Sequence, residues 1–273
     1  MLNKKIGFIG AGNMATAIAA GLISSGNAAE ENIYVTDIDV VKAGNFCDGK
    51  ANVTENAKAL ATACDTVILA VKPQVYDVVL NELADIASPL YISIAAGISI
   101  DYISEFFSGK ARVIRAMPNS PALINEGMTV ISAQSEAAQD DVDTARQIFE
   151  SVGLVMIMQE RYMNSVVAVS SSSPAYVFMM IEAMSDAAVR DGIPRDIAYQ
   201  LAAQAVAGSA KMVLQTNQHP AVLKDNVCSP GGTTIRAVAQ LEKDGFRSAI
   251  INAMGKCTER AEELGKFIMQ RTG

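Results

Sequence analysis

Histidine is nearly missing from these 273 residues, and charge is sparse. The single imidazole, His219, cannot assemble a His-rich metal site, and standing before Pro220 it reads as a structural residue of a turn. The four cysteines, Cys47, Cys64, Cys228 and Cys257, are scattered, with no C-x-x-C and no paired spacing. That pattern implies a reducing compartment and no structural metal. Only 19% of residues are charged, and the formal net charge is -7. A nucleic-acid footprint would be basic, so that class of partner is excluded. No leader pattern precedes the first strand-like run, Ile6 to Gly10, which is far too short to cross a bilayer. The longer apolar stretch Val166 to Met184 is interrupted by Ser, Pro and Glu and reads as core helix. The expectation is a cytoplasmic protein with no membrane partner.

Half of the residues are apolar, and the length suffices for two domains with sizeable cores. Lys5 to Ile9 reads as a buried strand, followed at once by Gly10-Ala11-Gly12-Asn13-Met14-Ala15 and an apolar helical pattern through Ile18, Leu22 and Ile23. This is G-x-G-x-x-A in the context its mechanism needs. Gly10 makes the tight turn, Gly12 lets a pyrophosphate approach, and Ala15 keeps helix and strand close. A second strand, Ile33 to Thr36, ends at Asp37, about 20 residues further on, where a Rossmann domain places the acid that meets the adenosine ribose. A carboxylate there favours the free 2′-hydroxyl of NAD, and Lys42 nearby would favour the opposite. Asp37 and Asp39 also suit a simple turn that caps a helix from Val40, so the residues leave NAD or NADP open.

Alternation of strand and helix continues. Strands are expected at Thr66 to Val71, Leu90 to Ile94, Arg112 to Ala116, Met128 to Ala133 and Leu154 to Met158, with a helix at Ala137 to Ser151. In a doubly wound sheet the ligand lies beyond the C-terminal ends of the strands. The loops Ala70-Val71-Lys72-Pro73, Ala95-Ala96-Gly97 and Met117-Pro118-Asn119 are therefore expected around a cofactor, although each would also serve as a plain strand-ending turn. Past Met158 no strand pattern remains, only helical stretches broken at Pro174, Pro194, Pro220 and Pro230. The domains expected are 1–162, a dinucleotide-binding Rossmann-like sheet, and 163–273, all helical. So many apolar helical residues invite burial against a second subunit.

One run in the helical part stands apart, Lys224 to Ile235. Pro230 and the Gly231-Gly232 pair break the chain, and Thr233 or Thr234 can cap the helix that Ile235, Val238 and Leu241 announce. Such a turn is either an ordinary capped turn or a cradle for an anion. The helical part offers no convincing general acid, since Lys211 and Lys224 are its only obvious cations near glycines. Hydride acceptance without an acid suits a substrate already activated, such as a protonated imine. A threonine hydroxyl can then serve the nitrogen, and the glycine amides a substrate carboxylate.

These runs resemble the pyrroline-5-carboxylate reductases. Leu223 to Leu241 looks like the family's C-terminal signature, and Gly7 to Met14 resembles its cofactor fingerprint. Ala70 to Pro73 and Arg115 to Ala122 resemble its other cofactor loops, while Pro174 to Phe178 and His219-Pro220 match its helical domain. The resemblance spans nearly the whole chain. It implies reduction of L-1-pyrroline-5-carboxylate to L-proline, with NADPH as the usual cofactor and NADH as the alternative. It also implies an all-α dimerisation domain, and a homodimer that can assemble into rings of dimers. Thr234 would hydrogen-bond the ring nitrogen. Asn226, Val227, Ser229, Gly231, Gly232 and Thr233 would surround the substrate. Gly10, Gly12, Asn13, Met14, Asp37, Asn56, Ala70, Lys72, Pro73, Ala96, Pro118 and Asn119 would line the cofactor. No metal is implied. This chain departs from the pattern at Ser171, where the family usually has glycine. A β-hydroxyacid dehydrogenase has a similar domain order, but it places a catalytic lysine where Pro174 to Glu182 has none. A nucleotide-binding regulator without catalysis is the remaining alternative.

Overall fold

A computed structural model describes residues 2–134 and 138–269. The described residues form one sheet, in the spatial order β3-β2-β1-β4-β5-β6-β7-β8. Its strands are β1 (Ile6–Ile9), β2 (Ile33–Thr36), β3 (Asn52–Val53), β4 (Thr66–Leu69), β5 (Leu90–Ser93), β6 (Arg112–Met117), β7 (Gly127–Ala133) and β8 (Gly153–Ile157). All neighbours pair in parallel except β6 and β7. Parallel strands covered on both faces are near-continuously apolar, which is why β1 and β4 are continuous buried runs with Thr66 as their one polar side chain. Successive residues serve opposite faces. Ile68 packs in the cluster with Phe8, Ile18 and Ile148, while Val67 and Leu69 pack with Leu60, Leu80 and Ile103.

Helices cover those two faces. Helix α1 (Asn13–Ser24) follows β1, and α2 (Val40–Gly44), α3 (Ala57–Ala63), α4 (Tyr76–Leu83), α5 (Ile100–Phe106) and α6 (Gln139–Glu150) follow in order. The expected first residue of the last of these, Ala137, lies outside the described residues. Helix α4 turns inward through Tyr76, Leu80 and Leu83, whereas Val78 and the capping Val75 are exposed. Tyr76 decides that register, because its ring fills the space under the sheet end and its hydroxyl finds partners there.

The chain divides into two compact units. One runs to Ser172 and takes up again at Cys257, and the other is Ser173–Lys256. In the first unit, α7 (Met163–Val166) runs into a π-turn, Val167–Ser171, and Met163, Val166 and Val167 pack with Met117, Val130 and Ala261. The second unit holds α8 (Ser173–Arg190), α9 (Arg195–Thr216), α10 (Pro220–Val227) and α11 (Thr233–Lys243), with the first part of α12 (Phe246–Met269). Helices α8 and α9 pack on each other, and the small residues Ser185, Ala198 and Ala202 are buried. The expectation that Val166 to Met184 is a core helix within the chain is not met. The stretch Glu160–Arg190 is long and apolar enough to cross a membrane by length and composition, and beyond Ala168 its apolar side chains are exposed or half-buried.

Candidate active site

The glycine-rich loop begins where β1 ends. Gly10 has φ +103°, and a Cβ there would lie 2.8 Å from the carbonyl oxygen of Ala70. Only glycine accepts both conditions. Its N–H donates to Thr36 O at 2.8 Å, and Ala70 N–H donates to Ile9 O at 2.9 Å, so the loop is tied to the ends of β2 and β4. Gly12 is the N-cap of α1, offers no side chain to the first-turn amides, and has nothing within 4 Å of its would-be Cβ. Asn13 is exposed and Met14 half-buried at that helix start. A 12-residue helix presenting uncapped amides to an open approach is suited to a pyrophosphate. The residues present therefore fit a dinucleotide.

Asp37 follows β2 directly. Its Oδ2 accepts from Ala11 N–H at 2.7 Å and its Oδ1 from Asp39 N–H at 2.9 Å. Asp39 in turn caps α2, accepting from the amides of Val41 and Lys42. The Lys42 amide is the main reason its carboxyl is held below the usual carboxylate range. Asn56 is the N-cap of α3, with Oδ1 accepting from Ala59 N–H at 2.8 Å. Lys72 is exposed and caps the short 3-10 turn that starts at Pro73.

β1, β4, β5 and β6 are parallel neighbours, so the loops after them emerge along one edge. Several side chains that sequence reading did not single out hold those loops. Tyr76 is fully buried, and its hydroxyl lies 3.0 Å from Leu69 O and 2.9 Å from Ser93 Oγ, joining the ends of β4 and β5. Burial pushes that phenol well above the ordinary tyrosine range. Arg115 on β6 is buried and pairs with Glu160 at 3.3 Å. Glu160 Oε1 also accepts from Ile100 N–H at 2.9 Å, just past the loop that contains Ala96. Burial lowers the Arg115 pKa, and the Glu160 carboxylate opposes that shift. Gly97, next to Ala96, approaches α12 so closely that a Cβ would lie 3.1 Å from Gly265 N.

The Pro118-Asn119 loop is fastened from behind. Asn119 Nδ2 donates to Ser170 O at 3.0 Å, its Oδ1 accepts from Met128 N–H at 2.9 Å, and Ser171 Oγ donates to Pro118 O at 3.2 Å. Asn119 is buried, so its side chain fixes the loop and leaves the backbone as the group on offer. Ser171 takes a definite part in that fastening.

In the second unit, α10 starts at the His219 N-cap, whose Nδ1 accepts from Ala221 N–H at 3.2 Å. Asn226 and Val227 end that helix, exposed, and Lys224 pairs with Asp225. Gly232 N–H then donates to Ser229 O at 3.0 Å, closing a tight turn in which Gly231 has φ +67°. The extended backbone of Gly232 makes it the N-cap of α11, without a side-chain cap. Thr233 and Thr234 are thus the first two helical residues, which corrects the expectation that one of them is the cap. That places the Thr234 side chain on the first turn of a helix whose opening amides no side chain caps. Among the described residues, no group of three His, Cys, Asp or Glu is placed to hold a metal ion. A cavity of about 520 Å³ lies at the N-terminal ends of the strands, lined by Lys4, Asp65, Leu90 and Arg112 among others, at the opposite strand ends from the loops after β1, β4, β5 and β6.

Residues 160–264 match the family described as pyrroline-5-carboxylate reductase dimerisation, and residues 5–97 match NADP oxidoreductase, coenzyme F420-dependent. The pyrroline-5-carboxylate reductase of Escherichia coli is 47% identical over 268 residues, covering 97% of this chain and 100% of that one. The Synechocystis enzyme of the same name is 46% identical over 267 residues, with the same coverage. Among solved structures, the Plasmodium falciparum pyrroline carboxylate reductase with NADP bound has a TM-score of 0.89 at 32% identity, covering 97% of this chain and 99% of that one. Its counterpart from Coxiella burnetii scores 0.88 at 36% identity, covering 96% and 98%. Identity of this order over whole chains, with the fold retained, means that the chain belongs to the pyrroline-5-carboxylate reductase family.

Proposed function

We propose that this protein reduces the C=N bond of L-1-pyrroline-5-carboxylate to give L-proline, the last step of proline biosynthesis. The observation that carries the reading is the Ser229-to-Thr234 turn. It is a second helix start without a side-chain cap, suited to an anion and distinct in the chain from the Gly10-to-Ala15 loop that suits the pyrophosphate. A nicotinamide dinucleotide held at the sheet edge supplies the hydride. Gly10, Gly12, Asn13 and Met14 hold its phosphates, Asp37 and Asn56 border the adenosine, and Ala70, Lys72, Pro73, Ala96, Pro118 and Asn119 form the remaining wall. The Gly231-Gly232 turn, closed by the Gly232 N–H on Ser229 O, presents the Gly231 N–H and the opening amides of α11 to the substrate carboxylate, with Asn226, Val227, Ser229 and Thr233 around it. The Thr234 hydroxyl accepts from the protonated imine N–H and orients the carbon for attack. The nitrogen keeps that proton as hydride adds to carbon, so the product is a secondary amine and no further acid is required.

The functional division runs near residue 162, with the helical part serving substrate and assembly. The protein acts in the cytoplasm, with no membrane, as a homodimer that can build rings of dimers. Exposed apolar residues on α8 and α9, including Phe178, Met179 and Leu201, support that assembly. The test is loss of nicotinamide absorbance when purified protein meets pyrroline-5-carboxylate with NADPH or NADH. Absence of turnover with either nucleotide sinks the assignment. Thr234→Ala is expected to lower kcat about 10²-fold or more, in the range of a positioned polar group. Nucleotide affinity should change little. A wild-type rate in that variant removes Thr234 from the chemistry.

A further inference from the structure

We propose that Asp37 sets the nucleotide preference of this chain, favouring NADH over NADPH. The inference rests on the proposed function and narrows it to one cofactor. The carboxylate is fixed from two sides, by Ala11 N–H at 2.7 Å and Asp39 N–H at 2.9 Å. It cannot swing away without stripping an amide of the glycine-rich loop of its acceptor. A Rossmann domain brings the adenosine ribose to this position. There a 2′-hydroxyl can donate to the carboxylate, whereas a 2′-phosphate brings further negative charge against it.

NADP-binding sites offset such charge with a cation or free amides on the same loop. Here those groups are engaged. The Val41 and Lys42 amides both donate to Asp39 Oδ1, at 3.1 and 3.2 Å. The Lys42 ammonium lies 3.6 Å from the other oxygen of the same carboxylate. Asp39 is thus a second anion on the loop. The neighbouring Ile38, Val40 and Val41 are exposed and apolar, with no side-chain donor to offer. The loop that would meet a 2′-phosphate presents two anchored carboxylates and one partnered cation.

The test is a binding titration without substrate, following nicotinamide fluorescence, of wild type, Asp37→Asn and Asp37→Ser with NADH and with NADPH. Wild type is expected to bind NADH about tenfold more tightly, the effect of one like-charge contact at a protein surface. Asn keeps an oxygen for Ala11 N–H while removing the charge, so Asp37→Asn should move the affinity ratio about tenfold towards NADPH. Asp37→Ser should move the ratio the same way, with weaker binding of both nucleotides. Tighter binding of NADPH by wild type overturns the proposal. So does an Asp37→Asn variant that weakens both nucleotides equally, since Asp37 would then only anchor the loop. If neither nucleotide binds, the proposed function falls as well. If both bind with equal affinity, and pyrroline-5-carboxylate is reduced with both, only the nucleotide preference is lost.

Discussion

At the scale of single residues, Ser171 shows how a small departure is absorbed. Its hydroxyl donates to Pro118 O at 3.2 Å, beside the bond from Asn119 Nδ2 to Ser170 O. One neutral hydrogen bond contributes about 1 kcal/mol net, and glycine in a helical segment costs a further 0.5–1 kcal/mol or so relative to alanine. Ser171→Ala should therefore lower the unfolding free energy by about 1 kcal/mol, and Ser171→Gly by about 2 kcal/mol, read from urea midpoints at constant m-value. If Ser171→Ala leaves the midpoint unchanged, the hydroxyl does not hold the loop. The sequence allowed recognition of Ser171 as a departure but not of its partner, 53 positions away. Asp37 was legible by its spacing from the glycine loop. Its bond to Ala11 was not, because no pattern in the chain says which amide a carboxylate will find.

Elements were readable where burial dictates composition. Strands buried on both faces are near-continuously apolar, so β1, β4 and β5 announce themselves. The antiparallel turn of β7 against β6 left no such mark, nor did the two-residue β3, whose exposed Asn52 and Val53 look like loop. The charged residue inside β6 was equally silent. Arg115 is buried in mid-strand, and the partner that makes this tolerable, Glu160, lies 45 positions further on. One carboxylate thus joins β6 to the start of α5, and with it steadies the loop that carries Ala96. Removing one partner of a buried pair leaves the other charge uncompensated, typically at 3–5 kcal/mol. Glu160 retains partial access to water, its side chain being 28% exposed, so the lower end applies. Glu160→Ala should lower the unfolding free energy by about 3 kcal/mol in urea titrations. A loss below about 1 kcal/mol would show that water replaces the carboxylate at Arg115.

For the whole molecule, the informative feature is apolar surface left uncovered by the single chain. Met179 is 68% exposed and Leu201 56%, on two helices that pack together, inside the segment matched by the dimerisation family. The sequence pointed these apolar helices towards a second subunit but not which of their residues face it, because periodicity is the same for a core face and for a face another subunit covers. Contiguous exposed apolar surface marks an interaction face, and coverage by a second copy converts it into core at about 25 cal/mol per Å². A charge placed there must be desolvated on assembly. Met179→Asp combined with Leu201→Asp should therefore shift the mass seen by light scattering from a multiple of the chain mass to the 28.8 kDa of one chain. The wild-type melting temperature should rise with protein concentration, because subunits that bind only when folded stabilise by mass action. In the variant that dependence should vanish. A wild-type protein that runs at single-chain mass at micromolar concentration would refute the covered-face explanation. An unchanged mass in the double variant would place the interface on another face of these helices.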